Sequence, residues 1–185
     1  HDTSTAHLAW TLYLLGTHPP WLARVHDEVR GALDGARLTP AAVRALPALR
    51  QVLRESLRLY PPIHALSRTA VHDVELAGYR IAAGTRLLVS VYLVHRHPRY
   101  WAAPAAFRPE RWAADPPPYP YSYVPFGGGP RNCIGGGFAQ LEAPLVLATL
   151  LQRWDLHVEA RPVAPHMGAT LVPRGPIALR VEAPR

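Results

Sequence analysis

A glycine-rich loop around the only cysteine is the strongest constraint on what this 185-residue chain can fold into. The stretch 126–137 contains six of the thirteen glycines, in two runs of three, and such a run lets the backbone adopt φ > 0 and approach a flat ligand. Apolar, helix-like sequence follows, so Cys133 is predicted to lie just before a helix N-terminus, where unpaired N–H groups favour negative charge. The pattern predicts a cysteine thiolate, two residues after Arg131, that is suited to a soft metal.

Other roles for Cys133 explain less of the sequence. A lone cysteine is commonly a buried structural residue, but that role leaves the glycines and the helix start unexplained. Zinc is poorly supported because no second Cys or His lies at ligand spacing around Cys133. A redox-sensing thiol is a third interpretation, which also leaves the glycines unexplained.

The loop fits the pattern Phe-x-x-Gly-x-Arg-x-Cys-x-Gly, with its fixed positions at Phe126, Gly129, Arg131, Cys133 and Gly135. This pattern resembles the haem-binding signature of the cytochrome P-450 family. The resemblance implies that Cys133 is the proximal thiolate ligand of the iron in haem b, a ligand that favours O–O cleavage.

The same resemblance implies roles for the neighbours of the sulfur. Phe126 would pack beside the thiolate, and Gly127 and Gly135 would lie against the cofactor. Arg131 would pair with one haem propionate, and Arg68 would reach the other. A solvated arginine on a strand is the alternative interpretation of Arg68.

The chain opens on His-Asp-Thr-Ser-Thr and runs directly into helical sequence. From the residues alone, Asp2 and Thr3 are either a helix N-cap or an acid–alcohol pair that transfers protons. The stretch resembles the central-helix motif of the family, which implies that Thr3 lies over the haem and that Asp2 relays protons. Asp2 and Thr3 are therefore the predicted catalytic residues.

Glu55 and Arg58 are three residues apart and share one face of a predicted helix, where an ordinary surface pair contributes roughly 0.2–0.5 kcal/mol. Their spacing resembles the Glu-x-x-Arg motif of the family, which implies a buried network completed by Arg111.

The resemblance also predicts which residues contact the substrate. These belong to the segment after the Glu55 helix and to one tip of the C-terminal hairpins: Ile63, His64, Ala65, Gly168 and Ala169.

Periodicity predicts helices over residues 1–15, 19–33, 48–60 and 134–154, and a shorter helix from Thr39-Pro40. Strands are predicted over 74–76, 79–81 and 85–91 and after residue 155. The last long helix is apolar nearly all round, which predicts burial, and Pro144 predicts a kink in it.

The expected fold class is mainly α with small antiparallel β-sheets. By resemblance it is the C-terminal part of the P-450 fold, from the second half of the central helix to the C-terminal hairpins. Residues 1–185 are expected to form a single partial domain that lacks the N-terminal part of the fold.

Composition bears on location and partners. The net charge is +7 and all twenty basic residues are arginine, but they are dispersed and form no aromatic–basic stripe, which argues against nucleic acid. Abundant Ala, Pro and Gly indicate a GC-rich bacterial gene, so we expect a cytoplasmic protein with no membrane anchor in this chain. Positive charge near the cysteine loop favours an acidic electron donor.

The resemblance implies a parent enzyme that inserts one atom of dioxygen into a hydrophobic small molecule and releases water. Its electrons would come ultimately from NAD(P)H through a ferredoxin, a flavodoxin or a flavin reductase. Two alternatives stay open. One is haem-thiolate peroxygenase or isomerase chemistry, which needs no proton relay. The other is an inactive truncated fragment that does not hold haem by itself.

Overall fold

The structure is a computed structural model, and it describes residues 1–33, 38–114, 119–159 and 161–183. Its helices are α1 (Asp2–Thr17), α2 (Pro19–Leu33), α3 (Pro40–Arg44), α4 (Pro47–Leu59), α5 (Val91–Val94) and α6 (Gly136–Arg153). Its strands are β1 (Ala65–Thr69), β2 (Val74–Leu76), β3 (Tyr79–Ile81), β4 (Arg86–Ser90), β5 (Asp155–Val158), β6 (Pro165–Met167), β7 (Leu171–Pro173) and β8 (Leu179–Glu182). Short 3₁₀ turns occur at Pro109–Trp112 and Gly129–Arg131.

The strands form four two-stranded antiparallel ladders, β1 with β4, β2 with β3, β5 with β8 and β6 with β7. The helices bury one shared core, which α1, α2, α4 and α6 build from side chains such as Leu15, Val29, Val52 and Leu147. The predicted fold class, mainly α with small antiparallel sheets, is confirmed.

The first helix extends beyond its predicted end at residue 15 and includes Gly16, a residue type that often follows a helix end. Helix α1 runs through Gly16 to Thr17. A Cβ at Gly16 would lie 2.2 Å from the Cβ of Val158, so glycine is needed there because β5 approaches α1 closely. The predicted end was wrong because the sequence alone does not distinguish a glycine that ends a helix from one that allows close packing within it.

The prediction that α6 is buried nearly all round is wrong. Phe138 and Val146 are 68% and 37% exposed, whereas Leu147 and Leu151 on the opposite side are fully buried. Pro144 is buried inside α6, and the helix continues to Arg153. The kink expected at Pro144 stays a prediction.

Candidate functional site

The loop before α6 is closed by its own backbone. The amide of Cys133 donates to the carbonyl of Phe126 at 2.9 Å, and the amide of Gly136 donates to the carbonyl of Cys133 at 3.2 Å. Gly127 and Gly129 have φ of 81° and 72°, a region that glycine occupies at little cost. The loop therefore holds Cys133 immediately before the helix while leaving the residue exposed.

A cavity of about 430 Å³, which we call the Cys133 cavity, lies against this loop. Its walls include Pro62, Ile63, Leu66, Val91 and Phe138, which are all apolar. Arg131 lines the same cavity.

The residues around Cys133 fit a haem. Among the described residues that line the cavity, Cys133 carries the one sulfur, and a lone thiolate is the chemistry of a thiolate-ligated iron rather than of a multi-ligand metal site. A Cβ at Gly135 would lie 3.9 Å from Cys133 Sγ, in ordinary van der Waals contact, so Gly135 lies directly beside the sulfur. A Cβ at Gly136 would come within 3.4 Å of the Phe126 ring, so the ring packs under the helix start. Among the described residues, no cluster of three or more His, Cys, Asp or Glu side chains competes as a metal site.

The two predicted catalytic residues lie in different surroundings. Thr3 lines the Cys133 cavity. Asp2 instead lines a separate cavity with Leu12 and Thr170, is 83% exposed and contacts His1 at 2.9 Å. Both belong to the first turn of α1, and successive helical residues point in different directions.

A different carboxylate faces the Cys133 cavity. Glu142 of α6 lines it, and the hydroxyl of Ser4 donates to Glu142 Oε2 at 2.7 Å. The two residues are 138 positions apart in the chain, so no sequence spacing connects them. A helical pattern could have placed Glu142 on one face of α6, but only the packing of α1 against α6 brings Ser4 to it.

Of the other residues predicted to contact the cofactor or the substrate, some line the Cys133 cavity and others do not. Ile63 and Arg131 line the Cys133 cavity, whereas Arg68 is exposed and donates to the neighbouring carbonyl of Ser67 at 2.8 Å. His64 donates to the carbonyl of Gly168 at 3.0 Å, which joins the segment after α4 to the β6–β7 tip. Neither of these two residues lines the cavity, and neither do Ala65 and Ala169.

Glu55 is fully buried and accepts five hydrogen bonds. Its Oε1 receives Arg58 Nη2 at 2.8 Å, the amide of Arg108 at 2.9 Å and Arg111 Nε at 3.1 Å. Its Oε2 receives Arg58 Nε and Trp112 Nε1, each at 2.9 Å. We call Glu55, Arg58, Arg111 and Trp112 the Glu55 cluster. The sequence prediction missed Trp112, although it directly follows Arg111.

The guanidinium of Arg58 also has a hydrogen-bond partner for each of its donors. Besides Glu55, its guanidinium donates to the carbonyls of His95, Pro104 and Ala106 at 2.8, 2.7 and 3.0 Å. A guanidinium has five N–H groups, and five bonds are formed here. The cluster therefore fastens α4 to the irregular segment 95–112.

Two buried histidines flank these sites. Burial lowers the pKa of His7 to about 4, although its hydrogen bond to the carbonyl of Leu53 acts in the opposite direction. Burial likewise lowers the pKa of His95 to about 3, and His95 Nε2 accepts the amide of Val124 at 2.8 Å. Both rings are therefore neutral at pH 7.

The chain is similar to known proteins over nearly its whole length. Residues 1–181 match the model of the family Cytochrome P450. The chain is 41% identical to Cytochrome P450 4d2 of Drosophila melanogaster over 160 residues, covering 84% of this chain and 32% of that protein. It is 41% identical over 162 residues to Cytochrome P450 4V2 of Homo sapiens, covering 83% and 30%.

A plant relative and a solved structure extend the comparison. Protein LUTEIN DEFICIENT 5, chloroplastic, of Arabidopsis thaliana is 38% identical over 178 residues, covering 92% of this chain and 30% of that protein. A crystal structure of the cytochrome P450DA heme domain superposes with a TM-score of 0.92 at 35% identity, covering all of this chain and 42% of that one. The chain thus spans about a third of the length of its curated relatives.

These comparisons correct one expectation and establish the family. The prediction of a bacterial cytoplasmic protein is wrong, because the curated relatives come from an insect, a mammal and a plant, and the plant relative is named as chloroplastic. Within the described ranges, no helix combines the length and apolar character needed to cross a bilayer. The match over residues 1–181 and the superposition on a solved P450 structure show that this chain belongs to the cytochrome P450 family.

Proposed function

We propose that the natural protein containing this sequence is a haem-dependent monooxygenase that inserts one atom of dioxygen into a hydrophobic organic molecule. The observation that carries the proposal is the exposed Cys133, held in a glycine-rich loop and facing a mostly apolar cavity of about 430 Å³. When bound, haem supplies the oxidation, and a thiolate ligand favours cleavage of the O–O bond.

The residues of the chain supply binding and orientation in this proposal. Cys133 provides the axial sulfur, and Gly127 and Gly135 lie against the cofactor, since both line the cavity. Phe126 packs against the start of α6, and Arg131 offers positive charge for a propionate. Arg68 serves the second propionate in the proposal, which requires its exposed side chain to leave the carbonyl of Ser67.

The substrate is proposed to be apolar because of the walls it would meet. Ile63, Leu66, Val91 and Phe138 line the cavity and offer no hydrogen bonds from their side chains. Contact by His64, Ala65, Gly168 and Ala169 stays a prediction. The electron donor is proposed to be a ferredoxin, a flavodoxin or a flavin reductase that ultimately uses NAD(P)H.

Proton supply is proposed to run through Ser4 and Glu142, with Thr3 at the cavity wall. The carboxylate and the hydroxyl are within 2.7 Å of each other, which is a distance at which a proton can be exchanged. This arrangement supports monooxygenase chemistry over peroxygenase or isomerase chemistry, which needs no such supply. Asp2 stays a predicted relay only if it can exchange protons from its exposed position.

The test is the absorption spectrum of the reduced, carbon-monoxide-bound natural protein. We expect the red-shifted Soret band of a thiolate ligand, and we expect Cys133→His to replace it with a band typical of histidine-ligated haem. Ile134→Ala is the matched control, because Ile134 is the next residue and is fully exposed. A histidine-type band in the unsubstituted protein would contradict the proposal.

A second measurement separates the proposed reaction from its alternatives. Turnover driven by a reductase and NAD(P)H should exceed turnover driven by peroxide. Product formed only with peroxide would favour a peroxygenase, and loss of haem from the purified chain would favour an inactive fragment.

A further inference from the structure

A second cavity of about 460 Å³ adjoins the Cys133 cavity. It lies between α4 and α6, and we call it the α4–α6 cavity. The wall that the two cavities share consists of His7, Leu57 of α4, Ala139 of α6 and the loop residues 124–127. Among the described residues that form this shared wall, His7 carries the only polar side chain.

Polar groups lie on both sides of that wall. The α4–α6 cavity is lined by the side chains of Arg50, Asn132 and Gln140, which can hold water. The Cys133 cavity contains Thr3 and the Ser4–Glu142 pair. Water in one cavity is thus separated from a carboxylate in the other by apolar groups and one imidazole.

The hydrogen bonding of His7 fixes its tautomer. A carbonyl oxygen can only accept, so the 3.1 Å contact between His7 Nε2 and the carbonyl of Leu53 requires a hydrogen on Nε2. The ring is neutral because burial lowers the pKa of His7 to about 4. Nδ1 therefore carries a lone pair, and the described part of the structure shows no other hydrogen bond to this ring.

The position of His7 relates it to the proposed proton donor. Ser4 precedes His7 by three residues on α1, so the two share a helix face. Ala139 and Glu142 are likewise three apart on α6. His7 and Ala139 in the shared wall therefore lie one turn from Ser4 and Glu142 respectively.

We propose that His7 is the polar link through which water passes between the α4–α6 cavity and the Ser4–Glu142 pair, and so the point at which Glu142 regains its proton. The inference rests on the proposed function. When Glu142 is protonated, the hydrogen bond of this pair reverses, so that the carboxyl group donates to the Ser4 oxygen and the Ser4 hydroxyl turns to water in the Cys133 cavity. Glu142 then gives its proton to the Ser4 oxygen, while the Ser4 hydroxyl proton moves to that water. A water at His7 then protonates the Glu142 carboxylate and takes a proton from the next water. His7 stays neutral: Nδ1 accepts a hydrogen bond from this water, while Nε2 continues to donate to the carbonyl of Leu53.

The test measures water exchange rather than turnover. In the ferric, haem-loaded natural protein, the paramagnetic iron shortens the relaxation time of the protons of nearby water. This effect reaches bulk water only when water in the Cys133 cavity exchanges with it, so the relaxation enhancement measures that exchange. We expect His7→Phe, which fills the wall with an apolar ring, to lower this relaxation enhancement several-fold. We expect His7→Gln, which keeps a polar acceptor, to retain most of it.

Two further variants guard against a merely structural effect. Thr11→Val is the control, because buried Thr11 also joins α1 to α4, through Ser56 at 2.8 Å, but lines neither of the two cavities. It should leave the enhancement unchanged. Ala139→Leu narrows the same wall from α6 with His7 intact, and should lower the enhancement even if His7→Phe does not fold.

The outcomes are separable. An unchanged enhancement in a folded His7→Phe or Ala139→Leu protein overturns the role of His7, as does an equal loss in Thr11→Val. The carbon-monoxide band is recorded on every sample. Its absence from the unsubstituted protein would refute the proposed function itself, whereas an intact band with unchanged water exchange refutes only this inference.

Discussion

The Glu55 cluster and the Cys133 loop both carry charged or ionisable groups, but they differ in how far the chain satisfies them. Glu55 and Arg58 have side chains that are fully buried, and every donor of the Arg58 guanidinium is paired within the described residues. Cys133 is exposed and faces a cavity. One region is complete in itself, and the other is open to a ligand.

The difference teaches where substitutions act. Removing one partner of a buried ion pair leaves an uncompensated charge and typically costs about 3–5 kcal/mol. Removing the sulfur of an exposed cysteine leaves no such charge. We therefore expect the Glu55 cluster to govern folding and the Cys133 loop to govern cofactor binding.

The largest effect is expected for Glu55→Ala. This substitution removes the carboxylate to which Arg58, Arg111 and the indole N–H of Trp112 donate hydrogen bonds. It should lower the free energy of unfolding by about 3–5 kcal/mol, because the buried Arg58 charge loses its partner. Haem incorporation should then be abolished. Urea unfolding and the pyridine–haem content measure the two effects.

The control is Glu110→Ala, which removes only a half-exposed carboxylate bound to Arg108. A Glu55→Ala protein with full haem content and an unchanged urea midpoint would break the comparison.

Acid should weaken the structure next to the Glu55 cluster through His95. Burial, followed by the charges of Arg58 and Arg96, lowers its pKa to about 3 in the folded protein, against 6.5 when unfolded. As the pH falls, His95 therefore binds a proton in the unfolded state before it does so in the folded state. Its contribution to stability is fully present above pH 6.5 and is lost as the pH falls towards about 3. The expected loss from this group is about 3 kcal/mol by roughly pH 4.5.

His95→Gln isolates this contribution, because glutamine offers Val124 a neutral acceptor. The unfolding free energy of His95→Gln should fall less steeply between neutral and acid pH than that of the unsubstituted protein. Parallel pH profiles would show that His95 does not titrate as expected.

A smaller effect distinguishes the two acids near the Cys133 loop. Glu142→Gln should lower the yield of product per electron pair roughly tenfold or more, because it removes the proposed proton donor. Asp2→Asn should change that yield little, since Asp2 faces solvent. The ranking is read from the amounts of product and of peroxide formed at fixed NAD(P)H consumption. The reverse ranking would favour Asp2, the relay predicted from the sequence, over Glu142.

The smallest effect is expected for the loop backbone. Gly127 has φ of 81°, and Gly127→Ala should cost about 1 kcal/mol of stability through strain. Gly137→Ala is the matched control, because Gly137 lies in α6 and a Cβ there meets nothing within 4 Å. Equal urea midpoints for the two variants would mean that the loop tolerates a side chain at positive φ.

Local sequence determined much of this protein. The positions of α2 and α4, the cysteine loop before α6 and the pairing of Glu55 with Arg58 follow from periodicity, from glycine and proline placement and from short spacings. These features depend on interactions within a few residues, which the order of residues encodes directly.

Only the tertiary structure decided which distant groups meet. It placed Asp2 against a cavity other than the Cys133 cavity, joined Ser4 to Glu142, brought Trp112 to Glu55 and placed Val158 against Gly16. Each outcome depends on how two elements far apart in the chain pack, and helix packing sets directions that no spacing within one element specifies.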